Sequence, residues 1–252
     1  FIMKKITFCI LFVLSFFLSF SQLISYEAIW LKDGMEDSYV EVEEFWSLIK
    51  EQAISDDTQN FWVVSKVLND DEDSNKPDYI VMNGYKDSLQ MNKGVNWEEL
   101  AKKVYKNKLS KSKFKKKWDL GMNVRKETKT FLVERLDNTT WTEIEGGVLL
   151  FNGFQALNDD YEDYEMKFFK NMHEKNISDG SMGWWEFNRV IKRSNNANQD
   201  VTHFTMDVRD LNQTNELDLS FSEQMLVKHG VESRKRIIGD TLQTILFKFK
   251  GN

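Results

Sequence analysis

The sequence predicts an α+β fold built from two tandem copies of one β-α-β-β-α-β unit. Three observations carry the prediction. The stretch 45–68, FWSLIKEQAISDDTQNFWVVSKVL, returns at 168–191 as FFKNMHEKNISDGSMGWWEFNRVI, 123 residues later and without a gap. Phe45/Phe168, Glu51/Glu174, Ile54-Ser55-Asp56/Ile177-Ser178-Asp179, Trp62/Trp185 and Val67/Val190 are identical between the copies, which reads as an internal duplication. A second echo, Gly121 to Arg125-Lys126 against Gly230 to Arg234-Lys235, has an offset of 109, so the first copy carries about 14 extra residues. The third observation is the order of periodic segments, which is the same in both copies.

The first copy opens with an apolar strand at 26–31, ended by Lys32-Asp33-Gly34. A helix follows over about 35–53, because Tyr39, Val42, Phe45, Trp46, Ile49 and Ala53 recur at spacings of three and four with acids between them. Strands at 60–68 and 79–85 flank an acidic loop, 69–78, that holds the only proline, Pro77. Asn96 caps a second helix, with Glu99 at the capping-box position and Trp97, Leu100, Ala101, Val104 and Tyr105 on its apolar face. The lysine-rich connection 106–117 is the expected place of the insertion, and 128–136 reads as the fourth strand. After a linker at 137–143, the second copy repeats the order. It has a strand at 144–154, a helix over about 159–176, strands at 182–191 and 201–208, a short helix near 222–229 and a last strand at 241–249. This order is the ferredoxin-like split βαβ arrangement, with one module over 22–137 and another over 144–252.

Residues 1–21 read as a secretory leader to be cleaved: Met3-Lys4-Lys5 is the basic segment, 6–20 the apolar segment, and Ser19-Phe20-Ser21 a cleavage site. The apolar run is short for a membrane span. The expectation is therefore a periplasmic or secreted protein with no membrane span after cleavage. Cys9, the sole cysteine, lies in the leader, which leaves no disulfide, thiol chemistry or cysteine metal site. A net charge of −6 argues against a nucleic-acid partner. Glycine-rich phosphate loops, nucleophile elbows, dinucleotide fingerprints and metal-spaced histidines are all missing.

With its element order, its duplication and a tryptophan-centred second strand in each copy, the sequence resembles the dimeric α+β barrel superfamily, which includes antibiotic-biosynthesis-type monooxygenases. The resemblance implies that two modules, which elsewhere come from two chains, close into one intramolecular barrel. A monomer with an internal pseudo-dimer is then expected. It also implies two functional readings. One is an exported small-ligand-binding or structural protein, with a pocket for a small apolar ligand between the modules. The other is a cofactor-free or haem-handling oxygenase-like enzyme acting in one module, the second being favoured because it holds His173, His203 and His229. Some members of the superfamily degrade haem with an Asn, a Trp and a His. Asn152, Trp184 or Trp185, and His203 or His229 would supply that trio here.

The residues themselves leave several alternatives open. Trp62 and Trp185 read first as core and second as an aromatic ligand wall. His203, on an apolar strand, is the best histidine for a ligand contact, whereas His173, aligned with Lys50, reads as a solvated helix residue. His229, before Gly230, suits a helix C-terminus. Arg125 and Arg234 either bind an anionic group in bidentate fashion or tie the last strand of each copy to an acidic neighbour. The nine lysines of 102–117 read as solvated surface, with an anionic surface or polyanion as the alternative partner.

Overall fold

The computed structural model describes residues 22–68, 75–145, 147–211 and 218–250. The expected leader and residues 69–74 of the acidic loop lie outside the described residues. The strands are β1 (Leu23–Leu31), β2 (Phe61–Leu68), β3 (Tyr79–Tyr85), β4 (Arg125–Asn138), β5 (Val148–Ala156), β6 (Met182–Arg193), β7 (His203–Arg209) and β8 (Arg234–Phe249). They close, antiparallel throughout, into a barrel of order β1-β3-β2-β8-β5-β7-β6-β4.

Each half contributes the same order, β4-β1-β3-β2 and β8-β5-β7-β6. The two longest strands make the joints. β4 pairs with β1 through Arg125 to Glu134 and with β6 through Phe131 to Asn138. β8 pairs with β5 through Arg234 to Leu242 and with β2 through Thr241 to Phe249. Closure removes the free edges that an open eight-stranded sheet would present.

Strand alternation sorts the side chains. Tyr26, Phe61, Val63, Ile80, Met82, Phe131, Phe151, Phe204 and Met206 fill the barrel interior, with Trp184 packed against them. Trp62, Val64, Tyr79 and Val81 face outward under α1 (Glu36–Ser55), with Tyr39 and Val42 from that helix. Phe45, Ile49, Ala101 and Tyr105 bind α1 to α3 (Trp97–Tyr105), which follows the short α2 (Ser88–Asn92). Trp185 and Phe187 form the matching outward layer in the second half, under α5, a helix that runs from Tyr161–Asp163 through a π-helical turn at Tyr164–Phe169 into Lys170–Ser178. No helix among the described residues is long and apolar enough to cross a membrane.

Several boundaries differ from expectation. The lysine-rich segment is a helix rather than a connection: α4 (Lys111–Gly121) is capped by Ser110, whose hydroxyl accepts from the Lys113 amide, and Phe114 and Trp118, four apart, turn inward. β8 begins at Arg234, not near 241, because Arg234 to Ile238 pairs along β5 although its charged run hides the alternation. β4 likewise starts earlier, at Arg125, and β5 later, at Val148. The short helix near 222–229 is α6 (Phe221–Glu232), opened by a capping box between Ser220 and Glu223.

The π-helical turn explains a slip in the repeat. Gly121 in α4 approaches Val42 and Trp46, while Gly230 in α6 approaches Tyr164 and Phe169. Tyr39, Val42 and Glu43 therefore correspond to Tyr161, Tyr164 and Glu165 at an offset of 122, and Trp46 corresponds to Phe169 at 123. One extra residue has been absorbed as a π bulge, the usual way a helix takes an insertion without changing its faces.

Candidate functional site

A cavity of about 380 Å³ lies in the first half, between the outward face of the sheet and helices α1, α3 and α4. Glu27, Trp62, Val81, Asn83 and Arg125 form its sheet side. Glu43, Trp46 and Lys50, spaced along one face of α1, form the opposite side. Trp97 from α3 and Trp118 from α4 complete the wall. α4 is the counterpart of α6, so the insertion lies upstream of α4, in the 86–110 stretch that holds α3 rather than over the expected 106–117, and it supplies Trp97 to the enclosure. Trp46 meets the edge of Trp97 at 5.9 Å and tilts against Trp118 at 5.6 Å.

A hydrogen-bonded chain of polar groups crosses this aromatic box. Lys50 Nζ donates to Asn83 Oδ1 at 2.9 Å and to Gln59 Oε1 at 3.4 Å, and it lies 4.1 Å from the centre of the Trp97 ring. Asn83 Nδ2 donates to Glu27 Oε1 at 3.0 Å. Arg125 then bridges two carboxylates, Nη1 to Glu27 at 3.0 Å and Nη2 to Glu43 at 3.1 Å. Burial pushes the Lys50 amine down to about 8, against the pull of Glu27 and Glu43, so a substantial neutral fraction exists near physiological pH. Burial raises the Glu43 carboxyl, and the Arg125 charge opposes that rise.

The second half keeps the frame with different side chains on it. Arg234 pairs with buried Glu165 as Arg125 pairs with Glu43, and its guanidinium lies 4.5 Å from the centre of the Phe154 ring. Asn152 stands where Glu27 stands, and Asp207 where Asn83 stands: Trp62 pairs across the ladder with Asn83, as Trp185 does with Asp207. The Asn152 amide lies 3.4 Å from Asp207 Oδ2. Amide and acid have exchanged places between the copies. His173 occupies the place of Lys50, tilted against Trp185 at 5.2 Å, and burial pushes its imidazole down to about 3. Trp185, Phe187 and His203 pack in parallel steps of 6.1 and 5.2 Å through this layer.

The residues singled out in the sequence therefore converge only in part. Asn152, Trp185, His203 and Arg234 share the outward layer of the second half, Trp184 lies on the opposite face in the barrel interior, and Arg125 belongs to the first-half cavity. The expected trio for haem does not fit. Both ring nitrogens of His203 are engaged, Nδ1 with Thr202 Oγ1 at 2.9 Å and Nε2 with Glu162 Oε1 at 3.0 Å, and the ring stacks on Phe187 and meets Tyr161 at a right angle. His229 is half exposed beside Glu232, near the end of α6. His173 is not a solvated helix residue: it turns inward onto Trp185. Among the described residues, no group of three or more His, Cys, Asp or Glu could hold a metal ion.

Lys50, Glu27, Asn83, Trp97 and Trp118 were not picked out as site residues from the sequence. The one available signal was the Lys50/His173 alignment, where two basic residues share a position that a solvated helix face would not constrain.

A second cavity, about 320 Å³, lies in the barrel between the two halves, lined by Tyr26, Phe131, Phe151 and Phe204 with Lys76 and Lys129 among its polar groups.

The chain matches no protein-family model and no curated protein sequence. Among solved structures it is similar to the putative monooxygenase of Lactobacillus acidophilus NCFM, with a TM-score of 0.57 and 9% identity over 92% of this chain and 97% of that one. The corresponding protein of Fusobacterium nucleatum gives 0.55 and 11% over 93% and 97%. An anthrone oxidase-like protein gives 0.54 and 8% over 92% and 94%. At such identities the likeness is one of fold, and that fold is the dimeric α+β barrel, closed here within a single chain.

Proposed function

We propose that the chain binds a small aromatic molecule with a polar oxygen substituent in the first-half cavity. The observation that carries this reading is the placement of Lys50 Nζ, 4.1 Å from the Trp97 ring centre and 2.9 Å from Asn83, inside a box of tryptophans. Aromatic walls bind flat apolar bodies, and one oriented polar group selects among them. Titration with 2-naphthol, read by tryptophan fluorescence, tests the reading. Saturable quenching that is lost in Trp97→Ala supports it, and unchanged fluorescence overturns it.

An oxygenase-like enzyme is the second reading, favoured by the depressed Lys50 amine, which can take a proton from an acidic O–H or C–H of a bound aromatic. The anthrone oxidase-like fold neighbour makes anthrone the substrate to try, with oxygen consumption as the readout. Turnover that is abolished in Lys50→Met would make the site catalytic, whereas binding without turnover leaves it a ligand site.

We read the two halves, 22–137 and 144–252, as ferredoxin-like modules that replace the two subunits of a dimer. The support is the equal strand order of the halves and the repeated Tyr39-Glu43-Arg125 and Tyr161-Glu165-Arg234 sets. A monomer exported to the periplasm or medium follows from this reading and from the leader-like residues 1–21. Light scattering of the mature chain tests the monomer, and the N-terminal sequence of the exported form tests the cleavage.

A further inference from the structure

We propose that Lys50 holds an aromatic aldehyde covalently, as a reversible Schiff base inside the tryptophan-lined cavity of the first half. The inference rests on the aromatic-binding reading and adds the functional group that the ligand presents. Its ground is the kind of partner Lys50 has. Lys66, Lys117 and Lys248 each end on a carboxylate, Glu36, Glu41 and Glu51. Lys50 instead ends on two neutral amide oxygens, Asn83 and Gln59, and on the face of an indole. The amide acceptors hold the nitrogen in place without the counter-charge that a carboxylate supplies, and only the indole faces of Trp97 and Trp46 favour its ammonium form among these neutral contacts. An amine removed from bulk water is a known route to a nucleophilic lysine.

The charged groups facing this nitrogen come from three elements. Glu27 on β1 and Glu43 on α1 favour the ammonium, while burial, the largest cause, and Arg125 on β4 disfavour it and prevail. At pH 7.5, an amine of pKa about 8 is neutral on the order of a hundredfold more often than an exposed lysine near 10.4.

The step balances without any oxidant or reductant. The Nζ lone pair attacks the aldehyde carbon, a C–N bond forms, the carbonyl π pair moves to oxygen, and one proton passes from nitrogen to that oxygen to give the neutral carbinolamine. A second proton, taken from the medium, leaves with the hydroxyl as water while the nitrogen lone pair closes the C=N bond, giving the protonated Schiff base. Glu27 and Glu43 line the same cavity, each held by Arg125. The second half offers no such amine, because His173 stands at the matching position.

The experiment compares 2-naphthaldehyde with 2-naphthol on the full chain, reading tryptophan quenching, then intact mass and peptide mapping after borohydride reduction. The expected result is quenching by both probes and one reduced adduct, from the aldehyde only, on Lys50. Roughly tenfold less adduct is expected in Lys50→Arg, which keeps the charge and removes the nucleophile. On the unmodified chain, adduct yield is expected to rise to half its maximum near pH 8, a readout that needs no variant. Quenching by both probes with no adduct on Lys50, or with adducts spread over surface lysines and unchanged in Lys50→Arg, overturns the Schiff base and leaves aromatic binding standing. No quenching by either probe removes both.

Discussion

Arg125 Nη2 donates to Glu43 Oε1 at 3.1 Å, and through that contact the first residue of β4 holds the middle of α1 against the barrel. Glu43 is 2% exposed, so losing its partner strands a charge in the interior. Arg125→Met is expected to destabilise the protein by about 3–5 kcal/mol in urea denaturation, with the loss partly recovered in the Arg125→Met/Glu43→Gln double variant. Arg234→Met is expected to do the same through Glu165, which is 1% exposed. Equal stability of single and double variants would mean that the pairs do not hold the helices.

Lys50 makes the first half sensitive to alkali in an unusual direction. Its amine titrates near 8 in the folded chain and near 10.4 unfolded, so between those values the unfolded chain binds more protons and stability rises with pH. The destabilisation is fully present below pH 8 and is relieved by about pH 10.4, at most about 3 kcal/mol at ~1.4 kcal/mol per unit. Measured against Lys50→Met, the wild-type chain should gain relative stability over that interval. A pH-independent difference would contradict the burial of the amine.

His173 acts in the acid range. Its imidazole titrates near 3 folded against about 6.5 unfolded, so as pH falls below 6.5 the unfolded chain takes up the proton first and stability is lost down to about pH 3. His173→Phe, which keeps an aromatic ring against Trp185, should lose less stability than wild type between pH 7 and pH 4. Parallel curves for the two proteins would place the imidazole in water.

Gly121 and Gly230 mark the same helix contact but tolerate a methyl group differently. A Cβ on Gly121 would meet Val42 at 3.4 Å, an ordinary contact, whereas one on Gly230 would meet the Phe169 ring at 2.6 Å. Gly121→Ala is therefore expected to be neutral or to stabilise by up to about 1 kcal/mol through helix propensity. Gly230→Ala is expected to cost about 1–3 kcal/mol through overpacking. Thermal unfolding of the two variants distinguishes them, and equal effects would refute the closer packing of the second helix pair.

The sequence by itself determined the duplication, the α+β class, the alternating faces of β2 and β6, and the arginine echo, because each is a local or periodic property of the chain. The register of Trp62 with Trp185 survives in the ladder, where each faces an amide or acid of the next strand. Tertiary structure alone decided what encloses the first-half cavity. Trp97 and Trp118 reach the cavity because α3, in the longer 86–110 connection of the first half, and α4, the counterpart of α6, both pack against α1. In the second half Phe187 and His203 stack on each other in the outward layer. Lys50, Asn83 and Glu27 come from three separated segments, and no spacing along the chain announces that their side chains meet. The histidines drew attention to the second half as the only imidazoles. The distinctive group of the first half is a lysine, one of many in the sequence, and only its surroundings set it apart: a pKa is a property of burial and neighbours, which the order of residues does not carry.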